Sequence, residues 1–247
     1  MESALSHFSA SPWLIIPILA IVFVAAIVQV ELGMGFGLTA APLLALIDPA
    51  LVPASALFLG LATASWGAWK ERDAIRWREV RTGMIGRLAG VVVATLILTN
   101  LADRTSFTLV FGLMIGLAVL LSIAGWKLAF SRRSLAAMAM LSGVMGTITS
   151  VGGPPLAIVY QHRPAKEARP TLAAFFAIGC AISLCGLYLT GWAGLGDFGL
   201  ALVMTPPMLA GLAVAHRLRG RFDARYRPAL LAISGLAALI LIARGLA

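Results

Sequence analysis

Long apolar runs and short polar segments alternate along the whole chain. The runs that fit one membrane-spanning helix each are residues 50–69, 82–99, 105–126, 171–190, 198–215 and 229–243. At about 1.5 Å of rise per residue, most of them reach across the ~30 Å of a hydrocarbon core. The pattern predicts an all-α polytopic membrane protein whose single integral membrane domain fills residues 1–247.

Two longer apolar stretches are interrupted by glycine and proline. Residues 12–47 contain the break "ELGMGFGLT" at 31–39, and residues 134–160 contain the break "TSVGGPPLAIVY" at 149–160. Glycine permits tight backbone turns and proline fits the first turn of a helix, so each break can end one half-helix and begin another. We expect Pro154 and Pro155 to open the second half-helix, and Thr39 to act as the N-cap of its counterpart.

Composition and the placement of charge decide the topology. Hydrophobic residues make up 60% of the chain and charged residues 12%, which excludes an ordinary soluble domain. The net charge is +9, and most Lys and Arg lie in four clusters, at 70–81, 127–133, 163–169 and 217–227. The positive-inside rule places these clusters in the cytoplasm, and we predict no nucleic-acid partner. The N-terminus lacks the pattern of a signal peptide, so we expect it to be retained.

Residues 134–160 have a basic cluster at each end, which predicts a re-entrant hairpin that enters the membrane and returns to the same side. Each limb would have about 12 residues and span roughly 18 Å. The alternative is one long tilted span, which would put the clusters at 163–169 and 217–227 outside. Residues 34–47 are expected to dip in from the outside. Residues 12–31 are either the first limb of that hairpin or a full span.

The two halves of the chain then follow one plan with opposite orientation. Residues 12–126 and 134–244 each contain an interrupted, re-entrant helical hairpin followed by three transmembrane helices. Inverted repeats of this kind are common in secondary transporters, where broken helices meet near the midplane and form the substrate site. The arrangement predicts alternating access around a site between the two hairpin tips.

The breaks suggest how such a site would bind a small anion. A helix N-terminus carries a partial positive charge and unpaired N–H groups, so two facing N-termini form an anion site without a membrane-embedded cation. Glycines at the breaks would expose those amides, and nearby hydroxyls would add donors. The predicted substrate-binding residues are Gly33, Gly35, Gly37, Thr39, Thr147, Thr149, Ser150, Gly152, Gly153 and Pro154. The alternative is that the glycines only allow close helix packing.

Few ionisable residues lie inside the apolar runs. Glu31 stands at the edge of the first break, after Gln29, and both are candidates for coupling or gating. Glu31 would otherwise cap the break or lie at the interface. Arg87 either extends its side chain to the cytoplasmic surface, which is the favoured interpretation, or faces a substrate path.

The sequence gives no indication of catalysis or of a cofactor. None of the three histidines lies in a predicted span, which argues against an intramembrane enzyme with Ser150 or Cys180 as nucleophile. Neither metal-ligand spacing nor a phosphate-binding loop is present, so we predict no metal and no cofactor. The expected partners are a small anionic substrate, the lipid bilayer and a coupling proton or Na⁺, with a homodimer left open. An anion channel is the alternative to a transporter.

The two glycine motifs resemble those of the TauE/SafE family of sulfite and organosulfonate exporters. The segments that carry the resemblance are "GMGFGLTAAPLLAL…PALVPASAL" at 33–57 and "SGVMGTITSVGGPPLAIV" at 142–159, and the two-half layout extends it over the chain. The resemblance implies a multi-pass permease of the bacterial cytoplasmic (inner) membrane. Its substrates would be small sulfur-containing or organic anions such as sulfite, sulfonates or sulfoacetate, moved by an ion gradient or by their own gradient.

Overall fold

The computed structural model describes residues 12–32, 36–101, 103–126, 128–218 and 226–246, and within those ranges it contains helices and no strand. The α-helices in chain order are α1 Ile15–Leu32, α2 Phe36–Ile47, α3 Ala54–Lys70, α4 Trp77–Thr99, α5 Arg104–Ile123, α6 Arg132–Thr149, α7 Gly153–Tyr160, α8 Ala165–Leu189, α9 Leu195–Leu218 and α10 Tyr226–Leu246. Single turns of 3-10 helix lie at Pro12–Leu14, Pro49–Leu51 and Arg72–Ala74.

Six stretches of the described chain are long and apolar enough to cross a membrane. They are Pro49–Lys70, Trp77–Thr99, Arg104–Ile123, Ala165–Leu189, Leu195–Ala215 and Pro228–Leu246. Each corresponds to one predicted single span, so the all-α, multi-pass fold class is confirmed. α4 and α8 begin more than one turn earlier than predicted, at Trp77 and Ala165, because the polar residues before each apolar run continue the helix.

α6 and α7 form a hairpin whose two ends lie on the same face of the protein. The Gln161 side chain, just after α7, donates a hydrogen bond to the carbonyl of Trp126, 2.9 Å away and shortly before α6. The Arg163 guanidinium lies 4.1 Å from the centre of the Phe130 ring. The chain therefore returns to the face from which it entered, and the alternative of one long tilted span is wrong.

The two limbs of this hairpin are unequal, so the prediction of two limbs of about 12 residues is wrong. α6 has 18 residues and α7 has 8, which correspond to lengths of about 27 Å and 12 Å. α6 ends at Ser150, whose φ of 64° is left-handed, and α7 begins at Gly153 with Pro154 and Pro155 in its first turn. The prolines lie in the first turn of the returning limb, as predicted.

α1 and α2 form the first hairpin, joined across residues 33–35. The helices pack against each other, and the backbone N–H of Phe36 donates a 2.8 Å hydrogen bond to the Gln29 side-chain oxygen. α1 therefore forms a hairpin with α2, while a full membrane span for residues 12–31 stays the alternative prediction. Thr39 is not an N-cap, because α2 begins one turn earlier and Gln29 accepts the hydrogen bond from its first amide.

The loops that carry three of the four basic clusters meet on the face where α6 begins and α7 ends. Ion pairs join Arg76 to Glu167 at 2.7 Å and Arg163 to Glu79 at 3.1 Å. The hydrogen bond and the charge of Glu167 raise the pKa of Arg76 above its usual value. We refer to this side of the protein as the basic face. Its cytoplasmic location stays a prediction, and most of the cluster at 217–227 lies outside the described residues.

Helix packing relates the two halves of the chain. α4 packs against α6 and α8, and correspondingly α9 packs against α1 and α3. The pairs α3 with α8 and α5 with α10 each join equivalent helices of the two halves. A two-fold relation between residues 12–126 and 134–244 would produce this pattern, although the inverted repeat itself stays a prediction.

The contact between α4 and α6 is close enough to require glycine. A Cβ added to Gly90 would overlap the carbonyl oxygen of Met140, and a Cβ on Gly86 would overlap that of Ala136. On the α6 side, a Cβ on Gly143 would lie 2.7 Å from the carbonyl oxygen of Arg87. The backbones of α4 and α6 thus touch directly, as in small-residue packing of membrane helices.

We expect Gly90→Ala to lower the free energy of unfolding by about 1–3 kcal/mol, because the added methyl group has to push two backbones apart. The matched control is Gly116→Ala in α5, where a Cβ would meet nothing within 4 Å. That variant should be neutral or up to about 1 kcal/mol more stable, since alanine favours helix. Thermal unfolding in detergent measures both, and equal midpoints would contradict the proposed contact.

Candidate functional site

A cavity of about 570 Å³ lies where the two hairpin breaks meet. Both breaks contribute to its inner end, and α3, α8 and α9 form its walls. Its inner lining consists of Gln29, Phe36, Gly37, Leu38, Ser150, Val151, Gly152, Gly153 and Pro154. Its other end is lined by Lys70, Glu71 and Arg169, so the cavity extends from the breaks toward the basic face.

The two breaks touch each other at the inner end of the cavity. A Cβ added to Gly37 would overlap the carbonyl oxygen of Ser150, so the first turn of α2 lies directly against the end of α6. The Ser150 hydroxyl donates a 2.8 Å hydrogen bond to the carbonyl of Pro53, which precedes α3. These contacts hold α2, α3 and the second break together on the side away from the cavity mouth.

Side chains satisfy the backbone groups that the second break leaves unpaired. The Thr149 hydroxyl donates to the carbonyl of Met145 at 2.7 Å and accepts from the Val151 N–H at 3.2 Å. The Ser142 hydroxyl donates to the carbonyl of Gly152 at 2.6 Å. Because no water is available in a hydrocarbon core, irregular backbone at this depth depends on such partners.

Arg87 lies behind the second break with only 1% of its surface exposed. One terminal nitrogen donates to the carbonyl and the hydroxyl of Ser142, at 2.6 and 3.1 Å. The other donates to the carbonyl of Gly179 at 3.3 Å and to the hydroxyl of Ser183 at 3.0 Å. The expectation that Arg87 extends to the surface is therefore wrong, because its guanidinium is enclosed by α6 and α8.

The mouth of the cavity carries more positive than negative charge. Lys70 and Arg169 face a single carboxylate, that of Glu71, whose oxygen lies 3.9 Å from the Arg169 Nε. This pair is partly exposed, so its attraction is screened by water and contributes little stability. The net charge at the mouth instead favours the approach of anions.

The family model of the sulfite exporter TauE/SafE matches residues 18–241. The chain belongs to the TauE/SafE family. It is accordingly a multi-pass protein of a membrane transporter family. The resemblance seen in the glycine motifs is confirmed, and the match extends over nearly the whole chain. No curated protein and no solved structure matches the chain.

The predicted substrate-binding residues of this TauE/SafE protein divide into three groups. Those that line the cavity are Gly37, Ser150, Gly152, Gly153 and Pro154, together with Gln29 from the predicted coupling pair. Those that the structure places behind the cavity wall are Thr39, Thr147, Thr149 and Arg87. Those that lie outside the described residues are Gly33, Gly35 and the side chain of Glu31. Their roles as ligands or coupling groups stay predictions.

Two hydroxyls behind the wall, those of Thr147 and Thr149, are already engaged within the protein. Thr147 shares a 2.8 Å hydrogen bond with Ser183, and Thr149 donates to the Met145 carbonyl in α6 and accepts from the Val151 N–H in the break. Sequence reasoning missed Ser142 and Ser183, because a single serine within an apolar helix gives no distinctive signal. In the part of the chain that the structure describes, no group of three His, Cys, Asp or Glu residues could hold a metal ion.

We expect the cavity to be reached from the basic face. Cys180 lines it, whereas Cys185 is exposed on the outside of α8, so Cys185→Ala leaves one informative thiol. A charged, membrane-impermeant methanethiosulfonate should modify Cys180 faster when it is added on the side of the basic loops, because the cavity extends to that face in this structure. An Arg72→Cys marker, whose side chain is well exposed, identifies that side in sealed vesicles. Equal modification from both sides would contradict a cavity closed by the breaks.

Proposed function

We propose that this TauE/SafE protein is a secondary transporter, an exporter or permease, for small sulfur-containing or organic anions such as sulfite, sulfonates or sulfoacetate. The observation that carries the proposal is the meeting of both helix breaks at one cavity that extends toward the basic face. Family membership supports the class of function and the exclusion of an enzyme. We place the protein in the bacterial cytoplasmic membrane.

The binding site is the inner end of the cavity, where two half-helices begin. The first amides of a helix have no partner within the helix and point away from its N-terminus. In α2, Gln29 binds the N–H of Phe36, which leaves the next amides, from Gly37 and Leu38, at the cavity. In α7 the prolines lack an N–H group, so Gly152 and Gly153 supply the amides there.

We propose alternating access because the cavity extends to one face and is closed behind the two breaks. The closing contacts are the Ser150 hydrogen bond to Pro53 and the packing of Gly37 on Ser150. A second state would open these contacts and close the mouth. This closure supports a transporter over an anion channel, because a channel requires a continuous path. A proton or Na⁺ is the proposed coupling ion, with Glu31 and Gln29 at the first break as the groups that would sense it.

The units that move need not be the two sequence halves. α4 belongs to the first half, yet its backbone touches α6 of the second half through Gly86 and Gly90. Likewise α9 belongs to the second half, and a Cβ on its Gly211 would overlap the carbonyl oxygen of Phe23 in α1. We therefore propose that α4, α6 and α8 move as one unit and α1, α3 and α9 as the other, with the cavity between them.

Purified protein should be stabilised against heat by its substrate through mass action, by about 2.7 kcal/mol at a concentration 100 times the dissociation constant. Sulfite, methanesulfonate and sulfoacetate are the ligands to compare, with dimethyl sulfone as a neutral control. In proteoliposomes we expect saturable anion flux. A current that rises linearly with voltage would indicate a channel, and the absence of any stabilisation or flux would overturn the proposal.

Gly153→Leu should abolish this flux and the ligand-induced stabilisation, because the side chain would fill the inner end of the cavity. Gly116→Leu adds the same group to the open surface of α5 and should retain both. Size-exclusion profiles of the two variants establish that each is folded. Wild-type flux in a folded Gly153→Leu protein would remove the second break from the binding site.

A further inference from the structure

Arg87 is a buried cation whose contacts are all with neutral groups. Its two terminal nitrogens donate to the carbonyls and hydroxyls of Ser142, Gly179 and Ser183, and its Nε has no hydrogen-bond partner. None of the ion pairs among the described residues includes it. A charge enclosed by protein is unfavourable unless an opposite charge lies close by, and within a membrane such residues are usually functional.

Three glycines from three different segments make room for the guanidinium. A Cβ would lie 2.8 Å from a guanidinium nitrogen if added to Gly146, and 2.9 Å if added to Gly152 or Gly179. Any larger residue at these positions would displace the charged group. α6, the second break and α8 are thus shaped around Arg87, although they are separated along the chain.

Arg87 is separated from the cavity by a wall one residue thick. Gly152 lines the cavity on one side and touches the guanidinium on the other. Cys180, which directly follows Gly179 in the chain, also lines the cavity. Arg87 itself does not line the cavity, so any effect of its charge on the cavity contents would be exerted without direct contact.

Arg87 also fixes the position of Gly152. It donates twice to Ser142, and the Ser142 hydroxyl in turn donates to the carbonyl of Gly152. The carbonyl of Gly152 is thereby turned toward Ser142. The same interactions that hold the guanidinium therefore set the conformation of the break.

We propose that Arg87 supplies the fixed positive charge of the anion site, acting through Gly152 as a positioning residue rather than as a ligand. This inference rests on the proposed function, because it assumes that the cavity receives an anion. The bound anion would balance the charge of Arg87 across the glycine wall. The mouth residues Lys70 and Arg169 attract the anion to the cavity, and Arg87 stabilises the anion bound at the inner end.

The native Cys180 allows the charge to be measured without knowledge of the substrate. In Cys185→Ala protein, the modification rates by an anionic and a cationic methanethiosulfonate of similar size give a ratio that reports the local potential. Changes in thiol reactivity or in access affect both reagents and cancel in the ratio. We divide the anionic-to-cationic rate ratio at Cys180 by the same ratio measured for a small thiol in solution. This normalised ratio should be on the order of ten.

Arg87→Gln should lower this ratio substantially toward that of the free thiol, whereas Arg87→Lys, which keeps the charge, should retain a preference for the anionic reagent. Arg81→Gln is the matched control, because Arg81 lies on the same helix but is exposed, and its removal should leave the ratio unchanged. An unchanged ratio in folded Arg87→Gln protein would overturn the proposal.

Two further measurements apply if Arg87→Gln does not fold. Lys70→Gln combined with Arg169→Gln removes the mouth cations, and the preference at Cys180 should persist because Arg87 remains. Loss of the preference in that variant would assign the charge to the mouth and overturn the inference. Heat stabilisation of the wild type by methanesulfonate tests the proposed function separately, since its failure concerns binding of an anion and not the potential at Cys180.

Discussion

The structure depends on one constraint, which is that backbone polar groups exposed by a helix break need partners where water is absent. At each break, side chains from the preceding helix provide these hydrogen-bond partners. Gln29 binds the first amide of α2, and Thr149 binds the carbonyl of Met145 in α6 and the N–H of Val151 in the second break. Ser142 binds the carbonyl of Gly152. With these partners in place, unwound backbone becomes stable enough to line a cavity.

The side chains that bind the second break depend in turn on the packing of the surrounding helices. Ser142 is bound by Arg87 of α4, and Arg87 reaches it only because α4 and α6 approach closely at Gly86 and Gly90. The geometry of the site in this TauE/SafE protein therefore depends on how closely α4 and α6 pack. Glycines in α4 act on the cavity without lining it, since they set the distance over which the guanidinium reaches the break.

The features that the sequence predicted depend on composition and on order along the chain. Apolar length predicted the spans, basic clusters predicted that residues 134–160 return to one face, and Pro154 marked the start of α7. The errors concern features set by contacts between distant segments. Thr39 looked like a cap because hydroxyl residues often are, but it lies inside α2, and Gln29 accepts the hydrogen bond from the first amide of that helix. Arg87 looked like a surface residue because its partners lie 55 to 96 positions away.

Gly152 lies between the Arg87 guanidinium and the cavity, and this separation would affect how an anion is released. A cation inside the cavity would be hydrated when the cavity is open and would bind an anion directly, which slows release. Arg87 is held by α4, α6 and α8, and it keeps its partners if these helices move as one unit. In the proposed mechanism, its attraction would change only as the opposite wall, formed by α3 and α9, approaches or withdraws. The charge would then favour occupancy in either state, while the proposed movement of that wall would determine to which side the anion leaves.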